Sequence, residues 1–354
     1  MRRMACEGLS AIIRCRRDRL SKRRVTLDGA PAPRVRAMAN RTVKTLRLEP
    51  LVDLSPYIKE GAKPVAINVG PRGEVYVALA LDRGSAAGTA GFVRKRSEVE
   101  DSYRVLAFLG REKTLDVMIR AECFDIHHVQ PLPQNRLLLV CCRCFRGKGG
   151  GYEPNARIYT CQGHFVGSIL LGDGIEDVQV TASGTIWTSY FDEGIFGGVR
   201  EPAIGASGLV AWTSSGEKLY EYQPVPGLEP IDDCYVMNVA SESDVWIYYY
   251  AQFPLVHLRC GEVLRWWHPR LHGAEALAVK DDLVLFQGSY RRPNRFYLSR
   301  LSPDGTIRRL GRFTISDREG IAIRPDRIVG RGSTLYFEHG NGIYRLDVDT
   351  AADA

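Results

Sequence analysis

Glu176-Asp177-Val178-Gln179-Val180-Thr181-Ala182-Ser183-Gly184-Thr185-Ile186-Trp187 decides the fold. An alternating apolar run stops at Ser183-Gly184 and a second β-rich run begins, which is the pattern of a strand, a tight turn and a returning strand. Related phrases begin near Val65, Asp125, Tyr235, Glu275 and Glu319, so the chain repeats the unit six times. Each unit predicts a small antiparallel sheet, and a radial array of such sheets is a β-propeller.

The remaining strands follow from each copy. Copy three continues with 208–212 and 218–222 around the connection Thr213-Ser214-Ser215-Gly216-Glu217. Copy four runs through 235–239, 245–250 and 256–267, and copy five through 274–279, 283–287 and 295–310. Copy six takes 320–323 as its inner strand, then 334–338 and 342–348, and lacks a fourth strand. Residues 42–48 alternate and are expected to supply it. The fold expected is therefore all-β, a six-bladed β-propeller over residues 41–354 closed by an N-terminal strand, which removes exposed sheet edges.

The net charge of +7 is confined to the start of the chain. Residues 1–40 hold eleven Lys or Arg against three acids, a charge of +8 that leaves the other 314 residues at −1. This segment is expected to be a disordered basic leader. A nucleic-acid partner is disfavoured except through it, because the propeller offers no basic surplus to phosphates. No run of eighteen apolar residues occurs, which excludes a membrane-spanning helix. Nine cysteines without a secretory signal point to reduced thiols and a cytoplasmic protein.

Long Gly-bearing loops, 82–91, 145–156 and 190–207, join second to third strands and share a face with the inner-strand starts. Long loops on a rigid scaffold concentrate function. Aligning the copies on Val69, Val129, Val180, Val239, Val279 and Ile323 puts Val65, Asp125, Glu176, Tyr235, Glu275 and Glu319 four residues earlier. Four carboxylates would then converge at the channel mouth, where mutual repulsion calls for a cation or hydrogen-bond donors. A divalent cation, Ca²⁺, Mg²⁺, Mn²⁺ or Zn²⁺, would answer that need, with Glu319, Glu176, Glu275 and Asp125 as its ligands. The polar candidates for holding a ligand are His127, Tyr190, Asp192, Tyr235, Arg291 and Glu338. The aromatic stretches 246–250 and 266–268, with Phe253, read as packing between blades, with stacking on a flat ligand as the alternative.

Glu319-Gly320-Ile321-Ala322-Ile323 with Thr334-Leu335-Tyr336-Phe337-Glu338 resembles the senescence-marker/gluconolactonase and NHL-type six-bladed propellers. The resemblance implies a divalent metal held by Glu319, and by Glu176 and Glu275, and hydrolysis of a lactone or ester. The lactonase pattern also needs an Asn in a Pro-Asn-Gly phrase, whereas Pro293-Asn294 is followed here by Arg295. No complete catalytic set can be assembled, and no WD dipeptide, Gly-x-Ser-x-Gly elbow or His-Glu-x-x-His pair occurs. The leading functional expectation is thus a scaffold recognising a small molecule or a protein partner on the loop-rich face. The alternative is a metal-dependent hydrolase.

Overall fold

The computed structural model describes residues 43–58, 62–81, 101–144, 151–198 and 202–354. The basic leader, the loop 82–91 and parts of the other two long loops lie outside these residues. Two short strands come first, β1 (Lys44–Arg47) and β2 (Val52–Asp53). Blade 1 is β3 (Lys63–Val69), β4 (Val75–Ala80), β5 (Asp101–Leu109) and β6 (Glu112–Glu122). Blade 2 is β7 (His128–Leu132), β8 (Arg136–Val140), β9 (Ala156–Thr160) and β10 (Phe165–Ile169). Blade 3 is β11 (Ile175–Val180), β12 (Ile186–Tyr190), β13 (Leu209–Trp212) and β14 (Lys218–Glu221). Blade 4 is β15 (Asp233–Val239), β16 (Asp244–Tyr250), β17 (Leu255–Arg259) and β18 (Glu262–Trp267). Blade 5 is β19 (Ala276–Lys280), β20 (Leu283–Gln287), β21 (Phe296–Leu301) and β22 (Ile307–Ser316). Blade 6 is β23 (Arg327–Arg331), β24 (Thr334–His339) and β25 (Gly342–Asp347).

The six sheets form a six-bladed β-propeller. Successive inner strands touch around the ring, and β23 meets β3 to complete it. An N-terminal strand closes the last blade, but a different one from that expected. Val52 pairs with Ile343 and Asp53 with Gly342, so β2 is the outer strand of blade 6. Residues 44–47 instead lie parallel to β22 as a fifth strand of blade 5, Leu46 opposite Ile315. Alternation identifies a strand without naming its neighbour. The two-residue closing strand is reinforced by backbone bonds from Leu51 to Ile343 (2.6 Å) and from Leu54 to Asn341 (2.7 Å), and Leu54 is fully buried.

A second correction concerns blade 6. Its inner strand is Arg327–Arg331, not 320–323. Ile321 is 64% exposed, and Ala322 makes only an isolated bridge to Ser316. Pro325 separates this segment from β23, as expected where a proline restricts the residue before it and lacks an N–H to donate.

Both faces of the blades are apolar, because each blade packs against two neighbours. On blade 4, Ile247 and Tyr249 pack toward blade 3 with Val178 and Met237, while Trp246 and Tyr248 pack toward blade 5 with Leu277 and Phe286. The aromatic runs of the sequence are mainly this packing. Each such buried side chain contributes about 1.5–3 kcal/mol. Among the described residues no helix is long and apolar enough to cross a membrane.

Candidate functional site

The inner strands carry one irregularity repeatedly. The register slips between Pro64 and Ala66, between Ile175 and Asp177, and between Cys234 and Val236. Val65, Glu176 and Tyr235 are therefore the extra residues of β-bulges, which commonly re-aim a side chain beside a site. Pairing extends one residue before two other inner strands, since the His127 N–H donates to Val140 O and the Glu275 N–H to Gln287 O, each at 2.9 Å. With Arg327 opening β23, the equivalent positions are Val65, His127, Glu176, Tyr235, Glu275 and Arg327. All but Val65 line one cavity of about 170 Å³ at the channel mouth, together with Asp177, His128, Cys142 and Asp326.

Four expected residues thus meet here: Glu176, Glu275, Tyr235 and His127. The others lie elsewhere. Asp125 is buried two residues before His127 and outside the cavity lining. Glu319 is exposed in the turn after β22, because the phrase that contains it is not an inner strand. Tyr190 is fully buried at the end of β12, where its hydroxyl donates to the Leu171 carbonyl and accepts from Thr188 Oγ1 (2.9 Å). Asp192 opens a one-turn helix and accepts the Glu193 N–H at 2.8 Å. Arg291 is exposed in the turn between β20 and β21. Glu338 is buried on β24 and accepts from Arg327 Nη1 at 2.5 Å, while Arg327 Nη2 reaches Pro64 O at 3.0 Å. The ring therefore holds two of the four expected carboxylates, with a histidine and an arginine in the remaining slots. Among the described residues no group of three or more His, Cys, Asp and Glu is placed to hold a metal ion.

Arg327 and Asp177 were not anticipated at the mouth. The spacing of the other copies from each strand to its return would have flagged Arg327, had the 320–323 phrase not imitated an inner strand. Burial pushes the Asp177 carboxyl from its ordinary 3.8 up to about 6, and Glu176 adds repulsion. Hydrogen bonds from Val178 N and Gln179 Nε2, both 2.8 Å, hold the anion in part. His128 is buried 3.9 Å from Asp177, and desolvation lowers its imidazole from 6.5 to about 4, so it is neutral at physiological pH. His127 Nδ1 accepts the Cys142 N–H at 3.3 Å, which leaves the proton of the neutral ring on Nε2. Tyr235 exchanges a hydroxyl hydrogen bond of 2.5 Å with Tyr290 and stands edge-on to Phe253.

Three residues deeper on four inner strands lies a belt of amides: Asn68, Gln130, Gln179 and Asn238. Their oxygens accept backbone N–H groups of another blade: Val129 (2.8 Å), Val180 (3.0 Å), Val239 (2.9 Å) and Gly332 (2.8 Å). Where a bulge intervenes, residues three apart point to the same side, so mouth and belt both face the channel. Arg331 crosses the belt, donating to Gln179 Oε1 (3.1 Å) and Val180 O (2.7 Å). Burial lowers its guanidinium to about 10, still cationic at neutral pH.

A family model, the YxzG family, matches residues 203–346. No curated protein matches the chain. Among solved structures, Hsv2 of Kluyveromyces lactis is similar at 10% identity and a TM-score of 0.45, covering 81% of this chain and 74% of that one. The extracellular domain of BT4673 from B. thetaiotaomicron is similar at 12% identity and a TM-score of 0.43, covering 84% of this chain and 39% of that one.

Proposed function

We propose that this protein is a binding scaffold that takes a small, hydrogen-bond-donating molecule at the mouth of its central channel. The observation that carries this reading is the convergence of His127, Glu176, Tyr235, Glu275 and Arg327, from five successive blades, on one cavity. A fold held by its apolar faces has no need of polar side chains at equivalent positions on five inner strands. The cavity of about 170 Å³ is below the roughly 300–1,000 Å³ of sites for drug-sized ligands, which favours a compact solute. Carboxylates of Glu176, Glu275 and Asp177 outnumber the lining cation Arg327, itself paired with Glu338, so an amine or polyol fits better than an anion.

The test is a thermal-shift series on the full chain with ethanolamine, glycerol and xylitol. A ligand at a hundred times its Kd stabilises by about 2.7 kcal/mol. A rise with one of them that is lost in both Glu176→Gln and Glu275→Gln supports the reading. No rise with any of them, at concentrations up to those limited by solubility, counts against it.

A further inference from the structure

We propose that the seam between the outer edges of blades 1 and 2 is a second binding site, for a carboxylate carried on an aromatic body. A depression of about 460 Å³ lies there between β6, β9 and the turn to β10, within the usual size of a small-molecule site. The seam is tightly built: a Cβ on Gly163 would come within 2.3 Å of Met118 O, so the turn sits directly against β6.

Its chemistry centres on Arg157. The guanidinium lies 4.2 Å from the ring centre of Phe124 and 5.6 Å from that of Phe165. Its nearest carboxylate oxygen, Glu122 Oε1, is 3.9 Å from Nε, and the buried Nε makes no hydrogen bond. Among the described residues the guanidinium makes no side-chain hydrogen bond, and with Nε buried against Glu122 a flat group held by ring stacking presents its two Nη ends outward. That presentation suits a carboxylate, whose two oxygens match the guanidinium fork. Glu122 is itself satisfied by the Phe124 N–H (3.1 Å) and the Tyr159 hydroxyl. Its charge offsets part of that of Arg157 and disfavours a dianion such as phosphate. Arg120 and His164 stand exposed at the rim, and Phe165, 54% exposed, offers a ring face to an apolar body. Two sources share this chemistry: a free aromatic acid, and a peptide ending in an aromatic residue.

Calorimetric titration of the full chain with benzoate and with N-acetyl-Gly-Phe separates them, each beside its amide. We expect at least one acid to bind about tenfold or more tighter than its amide, a difference worth about 1.4 kcal/mol. Arg157→Gln should abolish that preference, and Arg157→Lys should lose most of it because an ammonium cannot pair in bidentate fashion. Phe165→Ala, at an exposed position, weakens binding without lowering the melting temperature and guards against a folding artefact. Glu176→Gln leaves acid binding unchanged, which separates this site from the channel mouth. Benzoate binding alone assigns the free acid, and dipeptide binding alone assigns the chain end. Equal affinity for acid and amide, undiminished binding to a folded Arg157→Gln, or no binding of either acid at millimolar concentration overturns the proposal.

Discussion

The mouth and the belt of the channel stand three residues apart on the same strands, yet they use their polar groups in opposite ways. In the belt, the amides of Asn68, Gln130, Gln179 and Asn238 are buried and accept backbone N–H groups from other blades. At the mouth, Glu176 and Glu275 are half-buried and border a cavity. A buried polar group that is fully paired fixes geometry, because losing its partner leaves a costly orphan. A polar group bordering a cavity stands within reach of whatever enters. The comparison teaches that position along one strand separates a structural polar residue from a candidate binding residue.

The sharpest way to break that distinction is Gln179→Leu. It removes the acceptor for Val239 N–H and for Arg331, and the donor to Met237 O (3.0 Å). Orphaning the buried Val239 N–H and taking one of two acceptors from the Arg331 guanidinium should cost about 2–4 kcal/mol, read as a fall in the urea midpoint. A loss below 1 kcal/mol, on the order of a single net hydrogen bond, would show that the belt does not stitch the blades.

Next comes a pair of opposed titrations just below the mouth. With its carboxyl raised from 3.8 to about 6, native Asp177 holds a proton that the unfolded chain has lost, so its contribution to stability falls as pH rises through that window. With its imidazole lowered from 6.5 to about 4, native His128 lacks a proton that the unfolded chain binds, so its contribution falls as pH drops through that window. Each shift is worth about 3 kcal/mol, and the two oppose one another between pH 6 and 4. Relative to the unmodified protein, Asp177→Asn should lose stability on acidification across this range and His128→Gln should gain it. Parallel stability–pH curves for all three proteins would remove the electrostatic account of these residues.

Gly330→Ala tests how closely the inner strands approach. A Cβ there would fall 1.9 Å from Leu277 O on the neighbouring blade. The clash should cost about 1–3 kcal/mol, visible as a lower melting temperature.

The smallest stability effect is expected at the mouth itself. Glu176→Gln should change unfolding free energy by no more than about 0.5 kcal/mol while removing ligand-induced stabilisation. Titration with Ca²⁺, Mg²⁺, Mn²⁺ or Zn²⁺ after EDTA treatment should leave the melting temperature within about 1 °C. At about 4 °C or more per kcal/mol for a small domain and less for a larger one, a bound ion would exceed that. Glu319 and Asp125 stand outside the cavity lining and Arg327 stands within it, so the four-carboxylate arrangement that would draw a cation is not assembled. A rise of several degrees, lost in Glu275→Gln, would return a metal-dependent hydrolase to the front.

By itself the sequence determined the fold class and the number of blades. Period-2 alternation and Gly-bearing turns act over a few residues, so β20 (Leu283–Gln287) was legible to the residue, as were the shared mouth positions of Glu176, Tyr235 and Glu275. Tertiary structure decided which strand each segment joins. Residues 44–47 and 52–53 are both short and extended, and only the free edges of β22 and β25 choose between them. It also decided which residues ring the channel. Aligning on apolar residues placed Asp125 where the backbone puts His127, two residues further on, and the 320–323 phrase, which imitates an inner strand, placed Glu319 where the backbone puts Arg327. Register is a property of two paired strands and the core beneath them, and a single strand's residues do not contain it.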